Sequence, residues 1–168
     1  MIHVCSLARL HETVEETGAR HVVTLLGSED LVRLPPGVPA GNHLRLPIHD
    51  ISAPADGFVA PEIEHVENLI DFVRRWPQKA PLVIHCYAGI SRSTAAAFTT
   101  VCALSPQRAE HEIAAALRRA SPTALPNARI VRLADELLGR SGRMVAAIET
   151  ISPHVPAVEA EPFRLALE

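Results

Sequence analysis

The sequence predicts an α/β fold: a small, largely parallel central sheet of about four to five strands, flanked by helices. Three observations point to it. Short β-type apolar runs alternate with stretches of helical periodicity along the chain. One such run, Pro81 to Ile84, leads through a tight loop into an Ala-rich run from Thr94 to Ala103, which reads as a buried strand feeding a buried helix. The 168 residues are 48% apolar, enough for one proper core.

The elements follow in order. Ile2 to Leu7 reads as a first strand. Leu7, Leu10 and Val14 then fall at helical spacing, and Gly18 fits a C-terminal cap. His21 to Leu26 is a second strand, closed by Gly27. Residues 28–41 hold Pro35, Pro36, Gly37, Pro39 and Gly41 and read as a loop. Asn42 to Ile48 alternates as a third strand, and Pro47 places its end or an edge there. A second loop runs from Asp50 to Pro61. Val59, Ile63, Val66, Leu69, Ile70 and Val73 then form an amphipathic stripe that Trp76-Pro77 stops. After the 81–86 strand and the Ala-rich helix, Ser105-Pro106 reads as an N-cap opening a helix to about Arg119. Further helices are expected over Pro126 to Leu138 and Met144 to Ile148. The expected organisation is one catalytic domain over 1–151 and a Pro-containing tail over 152–168, loosely packed.

Composition excludes several classes. A net charge of -3 gives no electrostatic case for nucleic acid. The three cysteines, at 5, 86 and 102, form neither a zinc pattern nor an even disulfide framework. No run approaches the roughly 18 apolar residues of a membrane helix, and Met1 to Cys5 lacks the pattern of a signal peptide. A cytoplasmic protein is the expectation.

The chemistry concentrates in His85-Cys86-Tyr87-Ala88-Gly89-Ile90-Ser91-Arg92-Ser93-Thr94. A strand-to-helix loop can turn successive N–H groups inward, and the helix N-terminus adds its positive end, so the loop amides of Tyr87, Ala88, Gly89, Ile90, Ser91 and Arg92 suit a phosphate. Gly89 lets the loop turn. Free cysteine titrates near ~8.5, and a positive field of this kind turns a thiol such as Cys86 into a thiolate nucleophile. Arg92 offers a planar fork for two phosphate oxygens. Ser93 can donate its hydroxyl proton to the sulfur. The reaction implied is a two-step displacement at phosphorus through a phosphocysteine.

His85-Cys86, five residues to Arg92, then Ser93 resembles the signature loop of the cysteine-dependent protein tyrosine phosphatase superfamily. The Ala88-Gly89-Ile90-Ser91-Arg92-Ser93 form is most similar to its dual-specificity branch, including small bacterial members. The resemblance implies the phosphotyrosine protein phosphatase-like fold and no cofactor or metal. It also implies that His85 holds the loop backbone and that Asn127, after Pro126, braces the loop; the alternatives are a satisfied core histidine and a helix N-cap.

Hydrolysis also needs one carboxylate as acid, then base. Asp50 directly follows the third strand and opens a Pro/Gly loop, 36 residues before Cys86. Dual-specificity members place their acid in a similar stretch. Asp56 is the second choice, and Glu62 is weaker because it suits a first helical turn. His43 and His49 are too few for a metal site. Cys5 could pair reversibly with Cys86 if the first strand lies alongside.

The expected function is a phosphomonoester hydrolase, a protein tyrosine or dual-specificity phosphatase acting on a phosphorylated protein. A phosphoinositide or other small phosphomonoester is an alternative substrate. The absence of Lys from the loop weighs against the lipid. A catalytically silent phosphate-binding module is the alternative from another class. A sulfur-transfer or arsenate-reducing enzyme fits the His85, Gly89, Arg92-Ser93 combination less well.

Overall fold

A computed structural model describes residues 1–27, 32–152 and 154–168. The first part of the loop read over 28–41, and Pro153 in the tail, lie outside the described residues. Strand β1 (Ile2–Ser6) leads to helix α1 (Leu10–Thr17), then β2 (His21–Leu25) and β3 (His43–Leu46). Helix α2 (Ile63–Arg75) precedes β4 (Leu82–Cys86) and α3 (Arg92–Leu104). Helices α4 (Glu110–Ala120), α5 (Ala128–Leu137) and α6 (Arg143–Glu149) follow, and β5 (Phe163–Leu165) ends the series.

The sheet order is β3-β2-β4-β1-β5. Strands β1 to β4 pair in parallel, and β5 is antiparallel to β1. The predicted α/β class and strand number hold. The phosphate-loop strand β4 is central, between β2 and β1. In register, Thr24 of β2 and Cys5 of β1 both stand opposite His85, and Ser6 stands opposite Cys86.

Alternation along the strands divides the core. Val4, Val23, Leu25, Ile84 and Cys86 face one side, with α2, α3, α5 and α6 packed there. Cys5, Val22 and Val83 face the other, against Leu10 and Val14 of α1. The two-sided burial explains why β4 reads as continuous apolar sequence. Helix α3 is buried over most of its circumference, which its alanines permit because they let neighbouring backbones approach.

Several boundaries differ from expectation. The α2 helix starts at Ile63, just past the loop read to Pro61, so Val59 at the head of the apolar stripe lies outside the helix. Pro61 disfavours helical geometry before it, and Val59 instead exchanges hydrogen bonds with His49. Strand β3 is an edge strand and stops before Pro47, whose missing N–H could not extend a ladder. Ser105 does not open a helix. Its N–H closes α3 on Val101 O, its hydroxyl donates to Leu167 O, and α4 begins only at Glu110.

The expectation of a loose tail is corrected. Phe163–Leu165 pairs with Ile2–Val4, Leu165 joins the main core, and Arg108 donates to the Ala166 and Leu167 carbonyls. The β1 edge would otherwise present unpaired backbone groups. Leu165→Ala is expected to destabilise the protein by about 2–5 kcal/mol in urea unfolding, as for a buried leucine. A change near zero would mean that the strand does not contribute to the fold.

Candidate active site

The loop from β4 to α3 is built against the start of the chain. Leu7 N donates to Tyr87 O at 3.1 Å. Gly89 has a φ of 74°, and a Cβ there would lie 3.0 Å from both Cys5 C and Ser6 N, so conformation and space both require glycine. At the helix side, Ala95 N donates to Ser91 O, and the Thr94 hydroxyl donates to the Ile90 and Ser91 carbonyls. Across the loop, Leu125 N donates to Ile90 O and Asn127 N to Ser91 O.

These constraints place the predicted residues around one cleft of about 600 Å³. Asp50, Cys86, Tyr87, Ala88, Ile90, Ser91, Arg92 and Asn127 line it. Cys86 Sγ lies 3.1 Å from Ser93 Oγ. Arg92 is buried, and its Nη1 donates to Ile48 O at 2.9 Å. Among the described residues, its Nε has no partner although it is buried. Such an orphaned donor on a cation suits an oxyanion.

Asp50 Oδ1 accepts from Ser91 Oγ at 2.7 Å and from Asn127 Nδ2 at 2.8 Å. Asn127 Oδ1 accepts from Arg129 N and Ile130 N, so the residue is also the N-cap of α5. The side chain thus caps α5 and holds Asp50, while the contact of Asn127 with the phosphate loop is its backbone N–H to Ser91 O. Asp56 is exposed and does not line the cleft. The base of the Asp50 loop is pinned by the His49–Val59 hydrogen bonds, and Phe58 packs edge-on against the His49 ring at 5.1 Å.

The model of the Tc-R-P family, described as "Polymorphic toxin system, DSP-PTPase phosphatase", matches residues 5–103. The chain belongs to this family. It is a phosphatase of the protein-tyrosine-phosphatase-like type, a phosphoric monoester hydrolase. Among solved structures the fold is similar to DUSP15, at 18% identity over 89% of this chain and 90% of that one, with a TM-score of 0.66. It is similar to human DUSP28 at 19% identity over 90% and 95%, with a TM-score of 0.62. PTPMT1 in complex with PI(5)P aligns at 15% identity over 83% and 91%, with a TM-score of 0.61. A search of curated proteins finds no significant match.

In this DSP-PTPase, His85 lies on the face of the sheet opposite Cys86. Its Nε2 and that of His43 each lie 2.7 Å from Thr24 Oγ1. The single hydroxyl proton can serve at most one of these ring nitrogens, so at least one of the two histidines donates its Nε2–H to Thr24. Burial lowers both histidines to about 4, against a weaker opposing contribution at His85 from the Cys86 backbone. Sequence reasoning missed Thr24; the available signal was a lone hydroxyl in the apolar strand His21-Val22-Val23-Thr24-Leu25. It read Ser91 only as a backbone donor, whereas the side chain also holds Asp50. His43 and His49 serve separate contacts, with Thr24 and Val59.

The Cys5–Cys86 pairing is corrected. The strands are neighbours, but Cys5 packs on the α1 side while Cys86 packs on the opposite side. Side chains pointing apart do not form a disulfide without backbone movement. Burial also pushes the Cys5 thiol up to about 12.

His85 folded neutral has a pH consequence. The unfolded chain takes up a proton near pH 6.5 that the folded chain refuses until about 4, so stability falls as pH drops through that window. Between pH 7.5 and 5 the loss attributable to His85 is about 2 kcal/mol. Urea unfolding of wild type and His85→Asn at both pH values checks this. The variant is expected to lose less on acidification, and equal losses would contradict a buried neutral His85.

Proposed function

We propose that the enzyme hydrolyses phosphomonoesters through a phosphocysteine, with protein phosphotyrosine, and phosphoserine or phosphothreonine, as the substrate class. The observation that carries the reading is the convergence of Cys86, Arg92 and Asp50 on one cleft at the head of α3.

The substrate phosphate sits in the cradle of the Tyr87 to Arg92 amides. Arg92 offers the phosphate oxygens the donors that Ile48 does not engage, among them its Nε, which has no partner among the described residues. These groups stabilise charge that develops in the transition state, in a fixed arrangement that needs little reorganisation. Cys86 Sγ attacks phosphorus as the P–O bond to the alcohol breaks. Asp50 gives its proton to the departing oxygen. Both hydrogen bonds that orient Asp50 fall on Oδ1, which leaves Oδ2 to carry that proton.

In the second step Asp50, now a carboxylate, takes a proton from water as the water oxygen attacks the phosphocysteine. The S–P bond breaks, inorganic phosphate leaves, and the Ser93 hydroxyl donates to the thiolate that departs. His85 and Asn127 act as positioning residues. His85 holds the end of β4 from the far face of the sheet, and Asn127 ties Asp50 to α5.

The test is turnover of aryl phosphates by wild type, Cys86→Ser and Asp50→Asn. Cys86→Ser is expected to abolish turnover while retaining phosphate binding. Asp50→Asn is expected to lower kcat by roughly 10²–10⁴-fold, typical of a lost general acid. That loss should be greater for phenyl phosphate than for p-nitrophenyl phosphate, because the poorer leaving group needs the proton more. Persistent turnover in Cys86→Ser, or a loss in Asp50→Asn that ignores the leaving group, would overturn the corresponding role. Tight phosphate binding without any wild-type turnover would favour the silent binding module.

A further inference from the structure

The segment after α6 passes the mouth of the active site before it reaches β5. Val155 N donates to Pro122 O at 2.9 Å, and Ala160 N donates to Ala88 O, in the phosphate loop itself, at 2.9 Å. Between them the Ser6 hydroxyl donates to the Glu159 carboxylate. These anchors hold Ala157 and Val158 in the wall of the cleft.

Val158 is 95% exposed, Tyr87 66% and Leu125 43%, and all three line this cleft. Exposed apolar side chains gathered around a reactive centre are a binding surface rather than leftover surface. The charged groups of the described lining are Arg92, which the reacting phosphate engages, and Asp50, which is acidic. A second phosphate, or an acidic residue beside the first, would meet no cation in this lining.

We propose that the C-terminal segment is a specificity wall. With Tyr87 and Leu125, Val158 forms an apolar rim that selects a singly phosphorylated peptide whose residues next to the phosphorylated one are apolar. The proposal rests on the phosphatase reading above and names its substrate. The phosphate enters the loop, and an aliphatic neighbour covers Val158 and Leu125. Burial of one aliphatic side chain on such a surface corresponds to roughly tenfold or more in affinity.

The test measures kcat/KM of wild type for a phosphotyrosyl peptide flanked by leucine, for the same peptide flanked by glutamate, and for phosphatidylinositol monophosphate in phosphatidylcholine vesicles. The leucine peptide is expected to be preferred over the glutamate peptide by roughly tenfold or more. Val158→Asp, at a position too exposed to affect folding, is expected to collapse that ratio. Val155→Asp, on the same segment but outside the cleft lining, is expected to preserve it. Equal use of the two peptides, an equal collapse in both variants, or faster turnover of the vesicle lipid than of the leucine peptide would overturn the proposal. Failure of wild type to hydrolyse even p-nitrophenyl phosphate would remove the phosphatase reading beneath it, an outcome distinct from active but indiscriminate hydrolysis.

Discussion

The guanidinium of Arg92 is buried at the head of α3, and the rest of the site is arranged around that one cation. Burying a charge is costly unless it is hydrogen-bonded and met by an opposite charge. Ile48 O satisfies one of its nitrogens, which also ties the end of the β3 segment to α3. Asp50 is two residues further on, so the bond that steadies the arginine also fixes where the carboxylate loop begins. The cation and the acid are thus positioned by the same stretch of chain.

The loop that receives the phosphate is constrained from three sides. Below it, β1 presses against Gly89 so closely that no side chain fits. Behind it, His85 is held in a buried hydroxyl network on the opposite face of the sheet, with Thr24 and His43. In front, Ser91 and Asn127 converge on one oxygen of Asp50. Rigid support of this kind is what lets backbone donors act on a developing charge without first reorganising. The C-terminal segment adds a fourth side through its bond to Ala88, so a part of the chain far from the loop in sequence still borders the reaction.

How much of this was legible in the sequence depended on the range of the interactions. The β4–loop–α3 unit is local, and the residue types from His85 to Thr94 declare it. Asp50 could be found because it follows a strand directly and opens a Pro/Gly loop. The stripe residue Val59 falls outside α2 and Ser105 closes a helix rather than opening one, because a contact with His49 in one case and with Leu167 in the other outweighs local propensity. The β5 strand has three residues and no periodic signal of its own; the exposed edge of β1 makes it a strand. The Cys5–Cys86 idea depended on whether the first strand lies beside the fourth; it does, but the pairing register puts the two thiols on opposite sides. Thr24 and Val158 entered the account for the same reason, since their meaning comes from what lies across from them.

The most direct test of the central claim is acid quench of wild-type enzyme during turnover of p-nitrophenyl phosphate, followed by mass spectrometry of the peptide that contains Cys86. The expected result is an added mass of one phosphoryl group on Cys86, formed within the first turnover and absent in Cys86→Ser. Steady hydrolysis with no phosphorylated Cys86, or with the phosphoryl group on another residue, would contradict it.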